Sequence, residues 1–274
     1  MRLRSIARDI FRRGPRCAVI VPEWAGFGNQ LFYYFHVERL QRAGIEAFAV
    51  PSESGWEWLE HFPTIRESLT RERADVRFFD RIDATDWHAM GEFGVHYSRD
   101  DLSRFVSAYL LPAHALQHAE QSKRTLTVNV RRGDYYSNPS VRGVLGFDQP
   151  AYIAAAMERY LRDRAAPAAI SVISDDPGWC SIRLGFLSDY THELQFNEPN
   201  SRPIDDFNAV ASATDLIITN STFSVWAAHI CKARETDASM IIAPAFGTRP
   251  HVGRWVPLDP EWTIINDIPG GWDS

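Results

Sequence analysis

The chain has 274 residues, 45% of them apolar and 23% charged, and a formal net charge of -6. That length suits one large domain or two ordinary ones, and that composition excludes a disordered chain. The acidic balance excludes a general nucleic-acid binder, and the three cysteines, Cys17, Cys180 and Cys231, lack the pairing of a disulfide framework or a zinc site.

The chain opens on an anomaly: residues 1–16 carry six arginines against Asp9 alone. Leu3, Ile6, Ala7, Ile10 and Phe11 share one helical face before Gly14-Pro15 ends the pattern. The stretch is a membrane-surface helix, with residues 1–13 against lipid, a frayed basic terminus, or a helix packed on an acidic lobe. It is not a signal peptide, because arginines interrupt the apolar positions, and no later window approaches the roughly 18 apolar residues of a membrane span. Unpaired thiols fit a reducing compartment, so the expected location is cytoplasmic, at the inner membrane surface if the basic segment binds lipid.

Cys17 to Pro22 reads as a strand, Gly26-Phe27-Gly28 as a turn, Asn29 to Arg42 as a helix and Glu46 to Val50 as a second strand. Residues 51–99 lack clean periodicity and receive only short elements. Asp101 to Leu111 reads as a helix stopped by Pro112, and His114 to Lys123 as a polar connector. A second alternating series follows: strand Thr125 to Val130, a polar loop, helix Pro150 to Asp163, strand Ala168 to Ile173 and a helix from Pro177. Helix Asp206 to Ala213, strand Leu216 to Thr219, helix Thr222 to Ala233 and a final strand Met240 to Ala243 complete it. Such alternation predicts parallel βαβ units, hence an α/β fold of two Rossmann-like lobes with mostly parallel sheets. The expected parts are a basic segment 1–16, an acceptor-side lobe 17–122 and a donor-side lobe 123–274, divided near Lys123.

Three strand ends carry candidate chemistry. Val128 to Tyr135 delivers Arg131, Arg132, Gly133 and Asp134 to the carboxyl end of an apolar strand, where α/β sheets bind ligands. Guanidinium N–H pairs match phosphate oxygens, so the segment reads as a diphosphate clamp; a surface ion-pair cluster or an Arg-Gly-Asp adhesion tripeptide are the plainer readings. Ile217 to Trp226 turns through Asn220, Ser221 and Thr222 into a helix whose first N–H groups favour an anion, unless it is simply capped. Ile173 to Trp179 places Ser174, Asp175 and Asp176 at a third strand end, where Asp176 is either a ligand for hydroxyls or a helix cap. Asp206 carries the same ambiguity. No Asp-x-Asp metal triplet, Gly-x-x-x-x-Gly-Lys loop or Gly-x-Ser-x-Gly elbow occurs, and Gly26-Phe27-Gly28 lacks the third glycine of a dinucleotide fingerprint. A clamp that needs neither metal nor cofactor is the chemistry left.

Taken together, Gly26 to Phe32, Arg131 to Tyr135, Ser174 to Asp176 and Asn220 to Ser224 resemble the α-1,2-fucosyltransferases of glycosyltransferase family 11, in family order and over nearly the whole chain. The resemblance implies a GT-B type fold of two facing lobes, GDP-fucose as donor, a glycan or lipid-linked oligosaccharide as acceptor, inversion at the anomeric carbon and no metal. It implies that Arg131 grips the β-phosphate, that Arg132 is chiefly structural, and that Asp206 reads guanine N–H groups. Asp176 would lie beside the donor, Ser221, Thr222, Phe223 and Ser224 would cradle phosphate, and Gly26, Gly28, Asn29 and Gln30 would close the cleft. Asp134, Asp148 and Asp176 are the candidates for general base. The sequence departs from the family at Asn129, where histidine is usual, and at Val225-Trp226, where two tryptophans are usual. Asn129 keeps open a donor with another nucleotide-linked deoxysugar, and a silent nucleotide- or glycan-binding protein is the non-enzymatic rival.

Overall fold

A computed structural model describes residues 16–85, 93–112, 125–235, 239–249, 258–267 and 270–272. The basic amphipathic stretch and the connector before Thr125 therefore lie outside the described residues, as does the expected dividing point at Lys123. The chain forms two compact units, Met1–Ala115 and Leu116–Ser274.

In the first unit β1 (Arg16–Ile20) leads to α1 (Phe27–Arg42) and β2 (Glu46–Val50), then to α2 (Glu53–Leu59), α3 (Pro63–Leu69) and β3 (Arg81–Asp83). The three strands are parallel in the order β2-β1-β3. Gly26 supplies an extended N-cap with φ -65°, so α1 starts at Phe27, two residues before the expected point, and takes Gly28 into its first turn. Within 51–99 the apolar spacing was too short to read, and α2 and α3 are seven residues each. The next helix, α4 (Arg99–Phe105), opens on a capping box in which Ser98 and Asp101 exchange hydrogen bonds. It gives way at Val106–Leu110 to a π-helical turn instead of running on unchanged.

The second unit contains β4 (Thr125–Val130), α5 (Gly133–Ser137), α6 (Pro139–Leu145), α7 (Gln149–Asp163), β5 (Ala169–Ser174), α8 (Pro177–Arg183) and β6 (Leu194–Phe196). It continues with α9 (Pro203–Ala211), β7 (Asp215–Ile218), α10 (Thr222–Glu235), β8 (Ile241–Pro244) and β9 (Thr263–Ile265). Six parallel strands lie in the order β6-β5-β4-β7-β8-β9. Numbered from the start of this unit, that is the doubly wound order 3-2-1-4-5-6, whose switch point falls between β4 and β7. Strands β7 and β8 are buried at every position, which is why they appear as unbroken apolar runs. Tyr152, Ile153, Ala156, Met157 and Tyr160 of α7 recur at three- and four-residue steps and seal one face of the sheet.

Two expectations are corrected here. The segment after Val130 is not a polar loop, because Pro139 and the Asn138 cap fold it into α5 and α6. The strand at Ile241–Pro244 is not the last, since β9 pairs beyond it; β9 and β6 are three residues each, too short for a period to register.

Candidate active site

The carboxyl ends of β4, β5 and β7 surround a cavity of about 230 Å³ whose lining includes Asn129, Arg131, Ser174, Asp175, Asp206 and Ser221. It sits at the switch point, where parallel sheets of this order take ligands.

The register of β4 on β5 pairs Asn129 with Ile173 and Val130 with Ser174, so the next residues, Arg131 and Asp175, come opposite each other. Their side chains meet: Asp175 Oδ2 lies 2.8 Å from Arg131 Nη1, while Asp134 Oδ1 lies 2.6 Å from Nη2. Asp175 Oδ1 also accepts the Arg132 N–H at 2.7 Å. Two more hydrogen bonds fix the backbone here: Arg131 N–H donates to Thr219 Oγ1 at 3.1 Å, and Gln149 Nε2 donates to Arg131 O at 2.8 Å. Although burial works against its charge, Asp175 and Asp134 hold the Arg131 guanidinium pKa above its ordinary value. With five N–H donors on a guanidinium and two engaged by carboxylates, donors remain for an incoming oxyanion.

Gly133 has φ +21°, and a Cβ there would stand 2.5 Å from Asp175 Oδ2. The glycine of the Arg-Arg-Gly-Asp run therefore makes room for the carboxylate that aims Arg131. Arg132 faces elsewhere, its guanidinium packed between the rings of Tyr136 at 3.6 Å and Trp179 at 3.7 Å, which fits a structural role. Arg131, with a side chain 40% exposed, is the member of the pair open to a ligand.

Asn129 is buried with its amide engaged at both ends: Nδ2 donates to Ile173 O at 3.0 Å, and Oδ1 accepts from the Ser224 hydroxyl. It forms the cavity floor and ties β4 to the first turn of α10. The hydrogen-bond ladder of α10 begins with Val225 N–H to Ser221 O at 3.0 Å, so the preceding turn of Ser221 to Ser224 presents the positive end of the helix. Asn220 is not the cap of this helix. Its Nδ2 donates to Leu145 O and Gly247 O, pinning two loops. Phe223 lines the cavity and packs on Phe207 at 5.0 Å.

Asp206 also lines the cavity; its oxygens accept from Asn197 Nδ2 at 3.1 Å and Ser201 Oγ at 2.9 Å. Burial raises its pKa above the ordinary carboxylate value, although those two hydrogen bonds oppose the rise. Ser174 Oγ accepts the Asp176 N–H, and Asp176 caps α8 by accepting the Trp179 N–H at 3.1 Å. Asp175, not Asp176, is the acid of this motif that lines the cavity. Asp148 caps α7 through the Ala151 N–H at 3.0 Å and lines a separate groove with Arg132. Of the three candidate bases, Asp134 alone touches Arg131.

Gly26, Gly28, Asn29 and Gln30 belong to the first unit. Gln30 is 1% exposed, donates to Ala25 O at 2.7 Å and Ser52 Oγ at 3.2 Å, and accepts from the Tyr34 hydroxyl at 3.1 Å. Its amide braces the loop from inside, whereas Gly26 is exposed with open space around its Cα. Sequence reasoning missed Asp175, Thr219 and Gln149 as the supports of Arg131. The first needed only the β4–β5 register; the side chains of the other two hold backbone atoms of Arg131, which any residue would offer, so they leave no sequence signal. Among the described residues no group of three His, Cys, Asp or Glu side chains could hold a metal ion, and no helix is long and apolar enough to cross a membrane.

Residues 92–253 match the family model described as Glycosyl transferase family 11. The chain is 28% identical over 156 residues to an "Alpha-1,2-colitosyltransferase" of Escherichia coli, covering 57% of this chain and 52% of that one. It is 31% identical over 122 residues to "O-antigen biosynthesis glycosyltransferase WbnK" of Escherichia coli, covering 40% and 35%. With "Galactoside 2-alpha-L-fucosyltransferase SEC1" of Bos taurus it shares 24% identity over 185 residues, covering 62% and 48%. The matched stretches thus span about half or less of these relatives. A solved structure titled as the apo form of POFUT1 aligns with a TM-score of 0.36 at 10% identity, over 84% of this chain and 75% of that one. So slight a likeness adds nothing to the strand order above.

Proposed function

Because this chain belongs to glycosyl transferase family 11, we propose that it transfers fucose from GDP-fucose to a hydroxyl of a glycan acceptor, α-1,2 to galactose, with inversion and without a metal. The observation that carries this reading is the placement of Arg131 at the end of β4, aimed by Asp175 into the cavity that Ser221 shares. A departing diphosphate gathers negative charge, and a guanidinium fixed before the reaction, together with a helix N-terminus, stabilises that charge with little reorganisation. The acceptor oxygen attacks the anomeric carbon from the face opposite the diphosphate; its bond forms as the bond to GDP breaks, and the hydroxyl proton leaves to a base. Asp206 suits the guanine N–H groups, because each oxygen already accepts from Asn197 or Ser201 and keeps a lone pair for the base edge. In this reading the second unit is the donor lobe of a GT-B pair and the first unit is the acceptor lobe.

Arg131→Ala is expected to lower turnover about 100- to 1,000-fold, the usual cost of losing one preorganised donor, with the circular dichroism spectrum unchanged. Near-normal turnover in that variant would refute the assignment. Asn129 favours a second reading of the donor. It forms the cavity floor where family members usually carry histidine, and one relative is named as a colitosyltransferase. A panel of GDP-fucose and GDP-colitose, with products weighed by mass spectrometry, separates the two sugars.

A further inference from the structure

On the opposite flank of the Arg131–Arg132 segment lies a second groove, of about 420 Å³, lined by Arg132, Arg142, Arg183, Gln149, Trp179 and Trp272 among others. Arg142 and Arg183 bring their charge to it, and Arg132, stacked between Tyr136 and Trp179, adds a third cation to its wall. Arg183 is exposed and forms no ion pair among the described residues. Among the described residues one carboxylate shares the lining, that of Asp148, and one of its oxygens is turned back to cap α7 through the Ala151 N–H. Its described lining is therefore net cationic and receives the positive end of a fifteen-residue helix.

Gln149 supplies an independent sign of a ligand. The residue is 1% exposed, its Nε2 is spent on Arg131 O, and its Oε1 has no hydrogen-bond partner. A buried acceptor left unmet is costly, and what it lacks is a donor, which a bare carboxylate or phosphate does not offer. A sugar hydroxyl does. Trp179 and Trp272 share the lining, which is otherwise mostly polar.

We propose that this groove is a subsite for an anionic hexose, a uronate or a sugar phosphate, with the charge held by Arg142 and Arg183 and a ring hydroxyl donating to Gln149 Oε1. As a subsite for the acceptor glycan it rests on the transferase reading above; as a binding site it stands without it.

Titration calorimetry on the full chain tests it with glucuronic acid, glucose 6-phosphate, glucose and inorganic phosphate as probes, and with GDP titrated in parallel. At least one charged hexose is expected to bind about tenfold or more tighter than glucose and than inorganic phosphate, and the tighter of the two identifies the anion. Arg183→Ala and Arg142→Gln should each weaken that binding about tenfold while GDP affinity stays unchanged. Glucose binding as tightly as the charged sugars, inorganic phosphate matching them, or unchanged affinity in a folded Arg183→Ala protein would overturn the proposal. Failure of GDP alone to bind would sink the transferase reading and leave this one standing.

Discussion

Two carboxylates touch the Arg131 guanidinium, but they differ in what else they hold. Asp134 is 57% exposed and three residues along the same turn, a contact of the kind worth little in water. Asp175 also accepts the Arg132 N–H and so anchors the strand end itself. Opposite effects should follow. Asp175→Asn is expected to weaken GDP binding about tenfold by loosening Arg131, whereas Asp134→Asn should tighten it roughly twofold to fivefold by removing a negative charge near the phosphates. Calorimetry on both variants checks the pair of signs. Gly133→Ala should mimic the Asp175 change, because the added methyl group drives Asp175 from its place. Asp206 sets a pH dependence. Its pKa is raised, so protonation begins above the ordinary carboxylate value, and a protonated oxygen no longer accepts from guanine. GDP affinity should therefore fall as pH drops through the mildly acidic range toward the ordinary value near 3.8, and Asp206→Asn should flatten that fall. The same raised value means that ionising Asp206 in the folded chain opposes stability as pH climbs past it.

At the level of elements, the long apolar strands and periodic helices were legible, because burial on both faces leaves β4, β5, β7 and β8 with runs that nothing else explains. Thr125–Val130 and Glu46–Val50 have the bounds that their sequence predicts. What escaped was short or depended on partners: β6, β9, α5 and α6 owe their existence to caps and neighbours, not to period. The candidate site divides the same way. Arg131, Asp206 and Ser221 could be picked by residue type near strand and helix ends, and Asn129 and Ser224 through the family resemblance. The choice between Asp175 and Asp176 could not, since it turns on which of two adjacent residues faces β4 and which caps α8. The joints between elements are testable too. Tyr160 of α7 donates to Asp215 Oδ2 at 2.9 Å, and Oδ1 of the same buried carboxylate accepts the Met240 N–H at 2.8 Å, so one side chain couples α7, β7 and the entry to β8. Tyr160→Phe is expected to cost about 2 kcal/mol in urea unfolding, as befits a lost hydrogen bond to a charged group.

For the whole molecule, metal independence and membrane contact are the two proposals that reach beyond any one site. A chelator should leave the transfer rate unchanged, and loss of activity restored by manganese would refute a clamp built on Arg131. Deleting residues 1–13 should release the protein from anionic vesicles in a flotation assay without altering GDP affinity; retention on the vesicles would assign the attraction elsewhere. The Arg131–Arg132 peptide has a wider consequence. It is tethered at Thr219, Asp175 and Gln149, with one guanidinium in the cavity at the switch point and the other stacked on Trp179. Neither can shift alone. Nucleotide arriving on one side should therefore alter the light emitted by an indole on the other, a native optical gauge that Trp179→Phe would extinguish.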